Sequence, residues 1–132
     1  NNSNHLMKNT VDKLNSKLSG YESIINSAAE QYNISPSLIK SIISTESAVN
    51  PNAVSKAGAK GLMQLMDGTS EELGIKNSFN PTENIHGGTK YMKKMLDYFN
   101  GDLDKALAAY NSGEGRVRKA MRNNARKNKP TD

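Results

Sequence analysis

The sequence predicts an all-α domain, and three observations carry that prediction. Apolar residues recur at spacings of three and four along most of the 132-residue chain, as they do on one face of a helix. Helix-start signals, Ser35-Pro36 and Asn80-Pro81, precede two of these stretches. No segment alternates apolar and polar residues with the period of two that is typical of a half-buried strand.

The first 50 residues predict three helices. Residues 1–19 carry sparse apolar residues at helical spacing, which predicts a modest amphipathic helix at the periphery of the domain. After a break at Gly20, residues 21–32 place four small or branched apolar side chains on one face. The third helix is the best defined, because Ser35 is a natural N-cap and Asn50-Pro51 closes it.

The rest of the chain predicts shorter helices joined by turns. Residues 50–60 are loop-like, residues 61–66 form a short turn of helix, and a brief helix follows through residue 73. A longer helix starts at Asn80-Pro81, and its inner face consists of Ile85, Gly88, Met92, Met95, Leu96 and Phe99. A turn at residues 100–102 leads into a short helix, and a final helix runs from about Glu114 into a basic tail.

The composition limits the class of protein. No apolar run approaches the roughly 20 residues that a membrane span needs, so no transmembrane segment is predicted. The chain has no cysteine, and its two histidines lie far apart without metal-ligand spacing, so neither a metal site nor a cofactor is predicted. It opens without a leader sequence, and any export signal or anchor is therefore expected to have been removed.

The positive charge is concentrated near the C-terminus. The formal net charge is +5, and the clustered basic residues are Arg116, Arg118, Lys119, Arg122, Arg126, Lys127 and Lys129. One interpretation is the solvated end of a terminal helix, and the other is a tail that binds an anionic polymer. No aromatic residue for stacking bases lies within this cluster, so nucleic acid is not a predicted partner.

Glu46 is the candidate for acid–base chemistry. It follows Ile39 by seven positions, Ile42 by four and Ile43 by three, which places its carboxyl on the apolar face of its own helix. Loss of hydration there favours the neutral acid and raises the pKa. A carboxyl that stays protonated near neutral pH suits general acid catalysis of glycosidic cleavage. The competing interpretation is a surface Glu at a helix end that turns into solvent.

Three blocks of sequence resemble the motifs of one enzyme family, in the family's order. The first is Glu46-Ser47 followed by an Asn-Pro turn, Ser55, Gly58-Ala59 and Gly61-Leu62-Met63-Gln64. The second runs from Asn84-Ile85 through Gly88-Thr89-Lys90-Tyr91-Met92, and the third combines residues 106–113 with Gly115-Arg116-Val117. Together they cover roughly residues 21–120. The chain resembles the catalytic domain of the soluble lytic transglycosylases, in the goose-type-lysozyme-like superfamily.

The resemblance implies a lysozyme-like helical fold with a substrate groove. Together with the sparse apolar residues at the start and the basic cluster at the end, it predicts a peripheral N-terminal helix or linker at residues 1–19, a catalytic domain at 20–123 and a basic tail at 124–132. The implied activity is cleavage of the bond between N-acetylmuramic acid and N-acetylglucosamine in peptidoglycan glycan strands, with a 1,6-anhydro product. Such a protein is expected to be exported, to act outside the cell or at the wall, and to be a monomer.

The resemblance also assigns roles to individual residues. Glu46 is the expected general acid and then general base, and Ser55 and Gln64 line the cleft beside it. Met63 and Met66 form an apolar wall. Tyr91, Tyr110 and Asn111 face Glu46 across the groove. By spacing alone, the Met and Tyr residues equally suit an ordinary core.

Two positions depart from the family pattern, since Asp67 and Glu114 stand where the family usually has Pro. Asp67 is therefore a candidate second carboxylate, which at a suitable distance activates water as in inverting glycosidases. It equally suits an N-cap for the short helix that follows. Two alternatives to the transglycosylase stay open on this evidence: a hydrolytic muramidase on the same fold, and a non-catalytic peptidoglycan-binding module.

Overall fold

The computed structural model describes residues 2–112 and is helical through most of that range. Its six helices are α1 (Asn2–Ser19), α2 (Glu22–Tyr32), α3 (Pro36–Ser47), α4 (Asp67–Glu72), α5 (Pro81–Tyr98) and α6 (Leu103–Asn111). Within these residues no strand forms, only two isolated antiparallel bridges. The all-α prediction is confirmed. The helix predicted from Glu114 and the basic tail lie outside the described residues.

The chain divides into two compact units, one ending at Lys90 and the other beginning at Tyr91. The division falls within α5. The first unit holds α1 to α4 and the first part of α5, and the second holds the rest of α5 and α6. The boundaries expected from the sequence, after residues 19 and 123, stay predictions.

The helices α2 and α3 pack together and supply much of the core of the first unit. Their buried side chains are Ile25, Ala28, Ala29, Ile39, Ile42 and Ile43. An ion pair between Lys40 Nζ and Glu22 Oε1, 3.0 Å long, joins the two helices at the surface. In contrast, α1 is exposed along most of its length, with Leu18 buried at its end.

The two ends of α3 differ in how well the sequence predicts them. At the start, the Ser37 N–H donates to Ser35 Oγ at 3.2 Å and Pro36 is the first helical residue, as expected. At the other end, α3 stops at Ser47, before Asn50-Pro51, because Ala48 and Val49 both take positive φ values of 50° and 61°. Such a conformation is unfavourable for a β-branched residue. Val49 keeps it with a side chain that is 4% exposed.

The segment between α3 and α4 is a loop fastened by backbone bridges. Lys60 pairs with Val54 on one side and with Leu65 on the other. The turn of helix predicted over residues 61–66 is wrong. Gly61 and Gln64 have φ values of 82° and 53°, and a right-handed helix requires negative φ. The short apolar run of Leu62, Met63 and Leu65 is buried, but it is not helical.

Asn84, near the start of α5, connects this loop to its surroundings. Its Oδ1 accepts the Met63 N–H at 2.8 Å. Its Nδ2 donates to the Lys60 carbonyl at 3.0 Å and to the Ser78 carbonyl at 2.9 Å. Asn84 is only 1% exposed, so its amide bonds three backbone groups away from water, of which the Lys60 carbonyl also accepts the Leu65 N–H at 3.0 Å.

Two glycines let the loop approach α5 closely. A Cβ atom on Gly88 would lie 2.5 Å from Met63 Sδ and 2.8 Å from Met63 Cβ. A Cβ atom on Gly61 would collide with the Asn84 amide and the Ser78 carbonyl. Gly88 therefore provides the space into which Met63 packs, and Gly61 provides the space for the Asn84 hydrogen bonds.

The second unit is built on the C-terminal part of α5 and on α6. Met92 and Met95 are buried, as predicted for the inner face of α5, whereas Leu96 and Phe99 are half-buried. The predicted turn is present, and within it Gly101 has a φ of 83°. Asp102 Oδ1 then accepts the Lys105 N–H at 3.1 Å and caps α6.

Replacing Asn84 by Ala tests its role in the fold. The substitution removes the bonds that the Met63 N–H and the Ser78 carbonyl make with Asn84, whereas the Lys60 carbonyl keeps the Leu65 N–H, so the free energy of unfolding should fall by roughly 2 kcal/mol. Asn52→Ala is the matched control, since Asn52 is exposed and should change stability by less than about 0.5 kcal/mol. Urea denaturation measures both. A loss below about 1 kcal/mol for Asn84→Ala would contradict the assignment.

Candidate active site

Glu46 lies in the last turn of α3, between water and the apolar core. Ile42 and Ile43, on the preceding turn, are buried, and Glu46 itself is half-buried. Burial raises the pKa of the Glu46 carboxyl above its ordinary value. Among residues 2–112, no hydrogen-bond donor or cation pairs with this carboxyl. The site therefore holds an acid whose neutral form is more favoured than that of an exposed Glu, and no acceptor among residues 2–112 holds its proton.

The end of α3 holds Glu46 in place through local hydrogen bonds. Ser47 Oγ donates to the Ile43 carbonyl at 3.1 Å and accepts the Asn50 N–H at 3.2 Å. The two left-handed residues that follow turn the chain away directly after the catalytic candidate. Backbone strain of this kind persists only where the surrounding structure imposes it, and it is concentrated at functional sites.

Ser55 is exposed and organises the turn that follows it. Its backbone N–H donates to the Ala59 carbonyl at 2.9 Å, and its Oγ accepts the Ala59 N–H at 3.0 Å. The Ser55 hydroxyl therefore closes the turn through its oxygen while its O–H proton stays available to a ligand.

Gln64 has its amide nitrogen fixed by the loop itself. Nε2 donates to the Ala53 carbonyl at 3.1 Å and to the Gly61 carbonyl at 2.8 Å. These two bonds use both amide protons and leave Oε1 as the acceptor that the side chain can present. The backbone of Gln64 takes a positive φ of 53° at this point of the loop.

The two methionines of the first motif occupy different environments. Met63 is 0% exposed, packs against Gly88 and accepts a long contact from Thr89 Oγ1 at 4.0 Å. It belongs to the core beneath the loop and not to an open wall. Met66 is half-buried and occupies the N-cap position of α4, so its side chain is partly accessible.

Asp67 is the first residue of α4 and does not cap it. Met66 holds the N-cap position, and no side chain makes a capping bond there, so the capping interpretation of Asp67 is wrong. The Asp67 carboxylate instead pairs with Lys60 Nζ at 2.9 Å, and 73% of its side chain is exposed. A carboxylate that is mostly exposed is hydrated, and here its charge is compensated by the Lys60 ammonium group. This placement does not favour a role as general base.

The aromatic candidates lie in the second unit. The rings of Tyr91 and Tyr110 have centroids 5.4 Å apart and are tilted by 54°, an arrangement that aromatic pairs favour. Tyr110 is 6% exposed and Tyr91 is half-buried with its hydroxyl oxygen covered. Asn111 is exposed at the end of α6. The structure thus brings these two tyrosines together on neighbouring helices.

Asn84 and Gly88 acquire a role that sequence reasoning missed. Both were part of the second motif, but only the structure shows that they hold the loop carrying Gln64. The sequence did contain a signal for this role. Asn84 is a polar residue next to Ile85 and one turn before Gly88, on the inner face of the predicted helix. A buried Asn at such a position requires partners, which here are backbone groups from outside its helix.

Neither a metal cluster nor a membrane-spanning helix is found in the described part of the chain. No three His, Asp or Glu side chains of residues 2–112 group closely enough to hold a metal ion. No helix in the same range combines the length and the apolar character needed to cross a bilayer.

Known proteins are similar to this chain in both sequence and fold. The "Transglycosylase" of Enterobacteria phage PRD1 is 45% identical over 89 residues, which are 67% of this chain and 33% of that protein. The "Membrane-bound lytic murein transglycosylase F 1" of Alkalilimnicola ehrlichii is 35% identical over 112 residues, 80% of this chain and 23% of that protein. The chain therefore spans a third or less of the length of these relatives.

Two solved structures carry the same fold. The lytic transglycosylase Slt of Pseudomonas aeruginosa, solved as an inactive Glu-to-Gln mutant, matches with a TM-score of 0.64 and 36% identity over 74% of this chain and 17% of that one. The 70 kDa soluble lytic transglycosylase of Escherichia coli matches with a TM-score of 0.65 and 33% identity over 80% of this chain and 19% of that one. The expected lysozyme-like helical fold is confirmed. The sequence profile described as "Transglycosylase SLT domain" matches residues 23–132, and the chain belongs to the SLT-domain family of transglycosylases.

Proposed function

We propose that this chain is a peptidoglycan lytic transglycosylase domain that cleaves the β-1,4 bond between N-acetylmuramic acid and N-acetylglucosamine. The observation that carries the proposal is Glu46, a half-buried acid with a raised pKa and no partner among the described residues. The chain's membership of the SLT-domain family supports the proposal, and so do the relatives that are named lytic murein transglycosylases. The Pseudomonas relative was solved as a Glu-to-Gln variant described as inactive, which agrees with a single essential acid.

In the proposed mechanism Glu46 acts twice. The protonated carboxyl donates its proton to the glycosidic oxygen, the bond from that oxygen to the muramoyl anomeric carbon breaks, and N-acetylglucosamine leaves as an alcohol. The carbonyl oxygen of the substrate's own N-acetyl group bonds to the anomeric carbon in the same step. The Glu46 carboxylate then takes the proton of the C6 hydroxyl. O6 replaces the acetamido oxygen at the anomeric carbon, and the 1,6-anhydro sugar forms without water.

The remaining site residues are proposed to hold the glycan. Ser55 offers an O–H proton and Gln64 offers Oε1, both on the fastened loop of the first unit. Met66 supplies accessible apolar surface, and Met63 supports the loop from beneath. We assign Tyr91, Tyr110 and Asn111 to the same substrate through the family resemblance.

A hydrolytic muramidase is the alternative chemistry, with Asp67 as the second acid. The pairing of Asp67 with Lys60 and its 73% exposure do not support that role. A hydrolase adds water to the product, whereas the proposed reaction does not. The mass of the released fragments therefore separates the two reactions, because anhydro products are lighter by one water.

We propose that the domain acts on the cell wall outside the cytoplasm, as a monomer. Relatives named membrane-bound lytic murein transglycosylases support the location at the wall. The basic residues between Arg116 and Lys129 are proposed to hold anionic wall polymers by long-range attraction.

The substitution Glu46→Gln tests the catalytic assignment. Gln is nearly isosteric but neither donates nor accepts the catalytic proton, so lysis of purified peptidoglycan should fall by about 10²-fold or more. Mass spectrometry of the wild-type products should show anhydro-muropeptides. Asp67→Asn is the matched control and should lose less than about fivefold, the worth of one exposed ion pair. A Glu46→Gln variant that keeps a tenth of the activity, or non-anhydro products, would refute the proposal.

The substitution Glu46→Gln should also change how the stability of the folded chain depends on pH. Because burial raises the pKa of Glu46, the folded state keeps the proton at pH values where the unfolded chain has released it. The stabilisation is full below the unfolded pKa of about 4.3 and is lost as the pH rises through the folded pKa. The melting temperature of Glu46→Gln should therefore equal that of the wild type near pH 4 and exceed it at pH 7. An equal difference at both pH values would show that Glu46 titrates normally.

Removing the residues after Asn123 tests the basic tail. Charges separated by more than about 8 Å are largely screened at physiological ionic strength, so binding to intact sacculi should weaken most at low salt. The rate on a short soluble glycan should stay within about twofold, because the tail has no part in the proton transfers. Equal losses in both assays would place the tail in the folded catalytic domain instead.

A further inference from the structure

A second concave site lies in the first unit, between α4 and the loop that leads to α5. It is a cavity of about 290 Å³, close to the lower end of ligand-site volumes. Its wall on α4 is formed by Asp67, Ser70 and Glu71, which share a face because they are three and four residues apart. None of the expected glycan-binding residues lines it, and of the site candidates only Asp67 does.

The loop side of the cavity is rigidly held. The Ile75 N–H donates to the Ser70 carbonyl at 2.9 Å, and the Lys76 N–H donates to Glu83 Oε1 at 2.9 Å. The Ser78 carbonyl accepts from Asn84 at 2.9 Å. A cavity wall tied by its own backbone loses little freedom when a ligand binds, so this site is preorganised.

A pair of hydroxyls in the cavity has an unused proton. Ser78 Oγ donates to Ser70 Oγ at 3.0 Å, and Ser70 is only 4% exposed. Two hydroxyls carry two protons, and the bond between them uses one. Within residues 2–112 no acceptor is found for the second. A mostly buried O–H that faces a cavity is suited to an anionic or carbonyl oxygen of a ligand.

The charges around the cavity balance, and one cation and one anion among them form no ion pair within the described residues. Lys60 and Lys76 bring two ammonium groups, and Asp67 and Glu71 bring two carboxylates, so the net formal charge is zero. Lys60 and Asp67 neutralise each other, whereas neither Lys76 nor Glu71 forms an ion pair within the described residues. A site with no net charge does not attract a polyanion. It suits a ligand that carries a carboxylate and an ammonium group of its own.

We propose that this cavity binds the peptide stem of peptidoglycan at a zwitterionic amino-acid unit. The carboxylate of that amino-acid unit lies at the Ser70–Ser78 hydroxyls and Lys76, and its ammonium group lies at Glu71. Ile75 and the partly exposed ring of Phe79 contact the short apolar side chains. This inference rests on the proposed function for its choice of substrate. Binding at this cavity makes the affinity of the domain for a glycan depend on whether that glycan still carries its peptide stems.

Binding is tested directly by NMR with the N-acetylated stem tetrapeptide, acetyl-L-Ala-γ-D-Glu-meso-diaminopimelate-D-Ala, in which the acetyl group replaces the lactyl amide that joins L-Ala to the glycan. Titration into the ¹⁵N-labelled chain should shift backbone amides between Ser70 and Phe79, and Lys76→Gln combined with Glu71→Gln should weaken binding about three- to tenfold. The matched control is Lys13→Gln with Glu30→Gln, which makes the same charge changes at exposed positions elsewhere. No shift in these amides, or an equal loss for the control, would overturn the proposal. Shifts with an N-acetylglucosamine trimer instead would also overturn it and make the cavity a sugar site.

Kinetics then separate this proposal from the proposed function. For cleavage of stem-bearing glycan, the variant with Lys76→Gln and Glu71→Gln should have a KM about three- to tenfold higher and an unchanged kcat. For cleavage of amidase-treated, peptide-free glycan, its KM and its kcat should stay within about twofold of the wild type. Equal effects on both substrates would overturn the stem site. Because the titration needs no turnover, a chain that binds the tetrapeptide but cleaves neither glycan refutes only the proposed function. A chain that cleaves both glycans but does not bind the tetrapeptide refutes only the stem site.

Discussion

The side-chain amide of Asn84 is the contact on which the loops of the first unit depend. One buried group satisfies the backbone of Lys60, Met63 and Ser78, which belong to two different loops. The Lys60 carbonyl also accepts the Leu65 N–H within its own loop, but for the Met63 N–H and the Ser78 carbonyl the Asn84 amide is the partner that the described backbone does not replace. The same amide thereby fixes the segment that carries Gln64 and one wall of the cavity beside α4. Catalytic candidates and the proposed stem site share this single support.

Glu46 illustrates a different constraint, because its environment disfavours the charge that it would otherwise carry. A structural Glu is usually solvated or paired with a cation, as Glu22 is with Lys40. Glu46 is half-buried, and its pKa is raised by desolvation. Such a placement destabilises the folded state at neutral pH relative to a neutral side chain of the same shape. Retaining an acid there is consistent with a requirement of chemistry and not of folding.

The packing around the site relies on residues that tolerate unusual backbone geometry or supply space. Gly61 and Gln64 adopt positive φ, and so do the two residues after α3. Gly88 has no side chain where Met63 packs against α5. Together Gly61 and Gly88 let a non-helical loop lie close to α5. The side chains of Leu62, Met63 and Leu65 in that loop are buried even though no regular element carries them.

The sequence by itself determined that the domain is helical and where most of its helices begin. Periodicity and capping are local properties, so α3 begins where Ser35 predicts, α6 begins directly after the turn predicted at residues 100–102, and Glu46 lies on the face that its distance from Ile42 and Ile43 predicts. Tertiary structure decided the rest. The non-helical course of residues 61–66 and the burial of Met63 depend on contacts with Asn84 and Gly88, more than 20 residues further along the chain. The pairing of Asp67 with Lys60, which replaced the expected cap, depends likewise on how the loop folds back. Local spacing carries no information about contacts between residues so far apart in sequence, and the physical role of Asn84 was therefore visible only in the folded chain.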